Sequence, residues 1–403
     1  MDRRCLPLLL GPLGFAALAG CRPGAEAIAT ARVDTLPSGT LVVTSDRPVG
    51  WGDSSRAWRV VETLRIQPPE GSPGELVEPL HVAADAAGRI YVADQKPAVV
   101  KQFDANGGFI RTIGREGAGP GEFRVPFIAL HGAALVVHDP QQGRTAVFDT
   151  AGKFLRSWVS SCCVWSDIAV DTAGLAYIPT MPGSDSARQR GLAYTRYRLD
   201  GTAVDTLYVP DRGDDGGVWR FTSGSGRNRV RMTMQIPFAP EMLFALHPAG
   251  GFVRGWSAEY RIVRSPRGED STLVLTRPWT PEPISDALRQ EGIERVVAHA
   301  KAVVGEAAAR QAARLADVPG QAPAFQMLRV DLDGYVWVRR FAPADSAWTR
   351  YDVFAPGGAW LGAVTVPVAM PGWGHQFFGR GAIYAAIEGE DGRPAVVRLE
   401  VRR

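Results

Sequence analysis

The chain has 403 residues, 45% of them apolar, enough to bury a sizeable core and too apolar for an intrinsically disordered protein. Its net charge of +3 is nearly balanced, with Lys and Arg dispersed, which excludes the basic footprint of a nucleic-acid-binding protein. With 45 glycines and 30 prolines and no collagen-like period, turns are frequent and an all-β chain is favoured.

In chain order, Arg3 and Arg4 precede an apolar run, Leu6–Ala17, that is too short to span a bilayer, and small residues follow. This is the layout of a signal peptide over residues 1–20. The run ends Leu18-Ala19-Gly20-Cys21, which resembles the lipobox of bacterial lipoproteins. The resemblance implies export, lipidation at Cys21 and a membrane-anchored protein facing the periplasm or the cell surface. Arg22 after the cysteine, in place of Asp, favours the outer membrane. Residues 21–52, rich in Ala, Thr, Ser, Pro and Gly, read as a tether to a domain over 53–403. Cys162 and Cys163 remain, adjacent. They read either as two small buried thiols or as a strained vicinal disulfide.

His81–Ile113 holds four short stretches rich in β-branched and aromatic residues, separated by Gly, Asn, Asp or Pro: four strands. Pro126–Trp158 repeats the plan, with Asp94 matching Asp139, Phe103 matching Phe148 and Arg111 matching Arg156, each 45 residues apart. A Gly-Glu loop precedes each unit, as GSPGEL (Gly71–Leu76) and GAGPGEF (Gly117–Phe123). Weaker copies start at Asp167, Leu243 and Arg329, and His375–Arg403 supplies three more strands. The stretch Trp58–Gln67 is an unpaired strand ahead of the first unit. A four-stranded unit of about 40 to 50 residues is the signature of a β-propeller blade. The expectation is an all-β six-bladed propeller, its last blade closed by the N-terminal strand, which leaves no open sheet edge.

GPGEFRVP, IAVDTAG, IYVAD and FDTAGKFLR resemble the motifs of NHL-repeat six-bladed propellers, most fully in blades one to three. The resemblance implies the fold. It leaves function open, since such propellers include lyases, lactonases, sensors and protein-binding platforms. It also places the links between blades on the ligand face. GAGPGEF is one such link, its glycines allowing the sharp return and Glu122 satisfying backbone donors. The links bring His81, Arg124, Cys162, Cys163, Trp165, Phe238, Phe325, Trp373 and His375 around the channel mouth, as a binding rim or as packing between blades.

Two long links stand out. Pro283–Pro319 is rich in Ala, Arg, Glu and Gln, with Ser285 or Asp286 as a cap and Gly305 as a break, and predicts a helical insertion between blades four and five. It lids the channel, docks a partner or braces the ring. Asp211–Pro237, rich in Gly and Arg, is expected to be mobile. Metal-dependent propeller enzymes gather acidic, Asn or His ligands in the channel. The six histidines here, at 81, 131, 138, 247, 299 and 375, show no paired metal spacing, and Asp85, Asp171 and Asp331 suit turns on the opposite face. No nucleophile elbow, phosphate loop or dinucleotide fingerprint occurs. The expectation is a monomeric module binding a protein or small molecule at its top face, with no metal, cofactor or nucleic acid. The alternative is a lactonase-like or peptidylglycine-lyase-like enzyme using the channel.

Overall fold

The computed structural model describes residues 31–51, 57–181, 192–209, 217–226, 229–268, 270–342, 346–372 and 376–403. Residues 1–20, read from sequence as a signal peptide, and Cys21 lie outside them. Six antiparallel sheets ring a channel, each contributing its first strand to the channel wall. Blade one is Pro79–Ala84, Ile90–Gln95, Ala98–Phe103 and Phe109–Ile113, and blade two is Phe127–His131, Ala134–Asp139, Arg144–Asp149 and Phe154–Val159. Blades three, four and five begin at Ala169, Met242 and Met327. Blade six takes its outer strand from the N-terminal side: Arg59–Ile66 pairs antiparallel with Pro394–Arg402, from Arg59 opposite Arg402 to Ile66 opposite Val396. The ring therefore closes as expected.

The blade pattern rests on two recurring acids. At the turn after the first strand, Asp85 Oδ1 accepts the N–H groups of Ala87 and Arg89, Asp171 Oδ1 those of Ala173 and Leu175, and Asp331 Oδ1 those of Asp333 and Tyr335. The other oxygen accepts from a ring six residues on: Tyr91 at 3.1 Å, Tyr177 at 3.2 Å and Trp337 at 3.1 Å. At the end of the second strand, Asp94 and Asp139 fasten the preceding link. Asp94 accepts the N–H groups of Val77 and Glu78, and Asp139 those of Arg124 and Val125. In GAGPGEF, Arg115–Glu116 pairs in parallel with Glu122–Phe123, and the Glu122 carboxylate accepts the Gly119 N–H at 2.7 Å. A Cβ at Gly114 (φ +70) would lie 2.2 Å from the Phe123 ring, so this turn requires glycine.

Two segments depart from expectation. The tether reading is corrected over residues 32–45: Leu41–Thr44 pairs in parallel with Leu273–Thr276, Arg32–Thr35 pairs outside it, and blade four becomes six-stranded. Val43, Thr40 and Ser45 are buried, and Ser45 Oγ accepts the Trp360 N–H at 3.0 Å. The β-branched LVVT is a strand wherever an edge is offered, and blade four offers one. The link expected to be mobile carries a hairpin, Val218–Ser223 with Val230–Gln235. Its alternation buries Trp219 and Phe221 and exposes Arg220 and Thr222.

That hairpin is the seat of the helical insertion. Helix α1 (Asp286–Val304) is capped by Ser285, whose Oγ accepts the Leu288 N–H, and it ends at Gly305 (φ +84); α2 (Glu306–Ala312) follows. Ile293, Val297 and Val304 pack with Trp219, Phe221 and Ile236 into a core separate from the blades. Trp219 Nε1 donates to Asp317 at 3.0 Å. Among the described residues no helix is long and apolar enough to cross a membrane.

Candidate ligand cleft and channel mouth

Between this insertion and the propeller lies a cleft of about 620 Å3. The insertion side presents Met234, Phe238, Leu288 and Val296, and the propeller side Phe325, Met327, Trp348 and Met370. Methionines and aromatics give an adaptable apolar wall. Glu241, Gln326, Met327 and Gly372 also line a second space of about 330 Å3 over the channel mouth. Asp167, Ala245, Leu246 and Arg329 carry that space into the channel, about 140 Å3 and lined by the first strands of all six blades. Cleft, mouth and channel form one path.

A polar cluster from separate blades stands where the path narrows. His81 of blade one is buried, with Nδ1 3.1 Å from the Ile128 carbonyl and Nε2 3.2 Å from Asp167 Oδ1. Asp167 Oδ2 lies 3.4 Å from Arg329 Nη1 of blade five. Tyr194 donates to the Asp167 carbonyl and is hydrogen-bonded to Ser166 at 2.8 Å; burial raises its phenol pKa. Both ring nitrogens of His81 are within hydrogen-bond distance of protein oxygens, which fixes the ring in the channel wall. The cluster ties blades together and gives the channel mouth fixed polarity. Among the described residues no three His, Cys, Asp or Glu side chains gather in a way that could hold a metal ion.

Beside it, Glu241 is open to the cleft, yet burial alone raises its carboxyl above the ordinary carboxylate range; it forms no side-chain hydrogen bond or ion pair among the described residues. Among the described residues Arg339 makes one bond, from Nη1 to the Pro371 carbonyl at 3.1 Å, and its buried Nε has no partner.

The rim residues nominated from sequence scatter. His81 lies in the channel, and Phe238 and Phe325 line the cleft; Phe325 is fully buried and packs edge-on against Tyr260, while Phe238 takes φ +62 and meets Phe341. Arg124 is exposed on the link between blades one and two. Cys162 and Cys163 are free and exposed, which corrects the buried-thiol reading, and Trp165, 46% exposed, meets Phe127 edge-on. Trp373 and His375 lie outside the described residues. Sequence reasoning did not nominate Asp167, Glu241, Arg329 or Arg339. Arg329 carries a signal, a charge at an inward position of a channel strand.

No family model matches the sequence, and no curated protein matches it. Among solved structures the chain is similar to an assigned exported protein of Bacteroides fragilis, at 10% identity over 90% of this chain and 99% of that one, TM-score 0.47. It is also similar to a member of the duf4221 family from Bacteroides vulgatus (10% identity, 86% and 99% covered, TM-score 0.42). The PQQ-bound aldose sugar dehydrogenase of Streptomyces coelicolor is similar as well (11% identity, 86% and 99% covered, TM-score 0.44). At these identities the likeness is one of architecture.

Proposed function

We propose that the protein is an exported, lipid-anchored binding module that takes a small amphipathic molecule at its top face. The observation that carries this reading is the cleft of about 620 Å3 between insertion and propeller. Its size falls within the roughly 300–1,000 Å3 of small-molecule sites, and its largely apolar walls, with Glu241 and Arg339 on one side and Arg295 and His299 on the insertion, match their chemistry. The insertion completes the site, because one of the two apolar walls belongs to it.

The test uses N-phenyl-1-naphthylamine, a neutral probe that fluoresces in apolar surroundings. It should bind at one site per chain, and Val296→Trp, which fills the cleft, should weaken it about tenfold while the melting temperature stays near wild type. Saturable binding unaffected by Val296→Trp, or no binding, sinks the reading. For the anchor, wild-type protein should partition with membranes and take up acyl label, and Cys21→Ser should do neither; label retained by the variant would refute lipidation at Cys21.

A further inference from the structure

We infer that the ligand of this cleft is an amphipathic zwitterion of short-peptide size, its carboxylate seated at Arg339 and Arg329, its ammonium at Glu241 and its apolar body along the insertion. The inference rests on the binding reading above and names the chemical class of the ligand.

The argument is one of unmatched charge. A guanidinium cannot be deprotonated in a protein, so a half-buried one without a carboxylate keeps a charge that water alone must stabilise. Arg339 forms no ion pair among the described residues. Arg329 has Asp167 at 3.4 Å, but that carboxylate is shared with His81, and Arg329 Nε is also buried without a partner. The two arginines belong together. Met327 stands opposite Arg339 in blade five, and Arg329 is two residues beyond Met327 on the same face. Such diagonal neighbours are about 7–8 Å apart at the backbone, a span that two long side chains close around one carboxylate. Both guanidiniums act on buried Tyr351: burial raises its phenol, the two charges oppose the rise, and the pKa stands at about 12.

Glu241 supplies the opposite sign. It lines both the cleft and the mouth and forms no ion pair with either arginine among the described residues. One site thus presents a cationic end and a separate anionic point joined by a wall of Phe238, Leu288 and Val296, on which Arg295 is already paired with Glu291 and His299 adds one polar ring. A simple anion leaves Glu241 unmatched, and a simple cation leaves the arginines unmatched. A molecule with both ends charged satisfies all three. A single amino acid would fill little of about 620 Å3; a tripeptide suits it better.

The experiment displaces N-phenyl-1-naphthylamine with trileucine, N-acetyl-trileucine (no ammonium) and trileucine amide (no carboxylate), on wild type, Glu241→Gln and Arg339→Gln. In wild type, trileucine should bind about tenfold or more tighter than either blocked form, the worth of one charge-assisted contact. Glu241→Gln should erase the preference over the acetylated form and keep that over the amide. Arg339→Gln should do the reverse. Blocked forms binding as well as trileucine, equal losses for all three in both variants, or no displacement from a chain that still binds the probe each overturn the inference and leave the binding reading standing. A chain that does not bind the probe overturns both.

Discussion

Blades one and four share a plan and differ at the two positions that hold it together. In blade one the turn is held by Asp85 and the preceding link by Asp94. In blade four His247 takes the turn position, its Nδ1 accepting the Ala249 N–H at 3.0 Å within the same backbone pattern, His247 N–H to Gly251 and Gly250 N–H to His247. Ser257 takes the link position, its Oγ accepting the Glu241 N–H at 2.9 Å. In blade five the link position is Arg340, which cannot accept a hydrogen bond. The blades whose links are clamped by a carboxylate carry short links. In blades four and five, which lack it, the preceding links carry the hairpin and the helices. The long links of blades four and five go with a missing acid, but the brief links into blades three and six, Val159 to Ala169 and Val366 to Gln376, show that a short link does not require the clamp.

The largest expected effect lies in the clamp itself. Asp94 is fully buried and pairs with Lys101, itself nearly buried, at 3.0 Å, while also holding two link N–H groups. Asp94→Ala leaves the buried Lys101 ammonium without its counter-charge and the N–H groups of Val77, Glu78 and Lys96 without their acceptor, and should cost about 4 kcal/mol. Ser257→Ala removes one neutral hydrogen bond and should cost about 1 kcal/mol. Urea unfolding of both variants checks the ratio; equal losses would mean that the two positions are not counterparts.

This contrast also explains what was legible in the sequence. Asp94 and Asp139 stand 45 residues apart because each must reach the same backbone groups, so the physical constraint leaves a periodic trace. Blade four was faint because a neutral imidazole and a hydroxyl do the work of two carboxylates, and a pattern of acids does not reveal them. The hairpin at 218–235 was hidden by its Gly and Arg content although Val218-Trp219-Arg220-Phe221 alternates. The strand at Leu41–Thr44 was hidden because its partner, Leu273–Thr276, is remote in the chain. The cleft was illegible for a related reason. Arg329 and Arg339 share one hairpin of blade five, but Glu241 comes to the same path only through the packing of blade four beside blade five, and nothing local to it announces the arginines. The rim was nominated from links alone, whereas the polar cluster mixes link residues with inward positions on the strands.

An intermediate effect follows from the imidazole. Burial, then the Arg264 guanidinium, lowers the His247 pKa to about 3, against roughly 6.5 in the unfolded chain. The fold favours the neutral ring, so its contribution is complete above pH 6.5 and is lost as pH falls toward the folded value. At pH 5 the loss should be about 2 kcal/mol. His247→Asp installs the turn acid of blade one, which stays ionised at pH 5 beside Arg264, and should remove that part of the acid sensitivity. Denaturant unfolding at pH 7.5 and 5.0 in both proteins measures it; identical pH dependence would show that His247 is not the acid-labile point of blade four.

The smallest effect is the most pointed, because it differs in sign between the two blades. Glu78 and Glu241 are counterparts: the N–H of each is held by the link residue of its blade, Asp94 or Ser257. Glu78 pairs with Lys96 at 2.9 Å on the surface. Glu241 faces the cleft unpaired, and burial raises its pKa, so the folded protein holds that proton more tightly than the unfolded chain does. The cost of ionising it is absent below the ordinary carboxylate value and fully present above the raised one, which includes neutral pH. Glu241→Gln should therefore raise the melting temperature slightly at pH 7.5 and leave it unchanged at pH 4, whereas Glu78→Gln should lower it slightly or leave it unchanged at pH 7.5. A residue that binds at the expense of stability behaves in this way. A Glu241→Gln protein less stable than wild type at pH 7.5 would mean that the carboxylate already has a partner within the fold, and would remove it from the site.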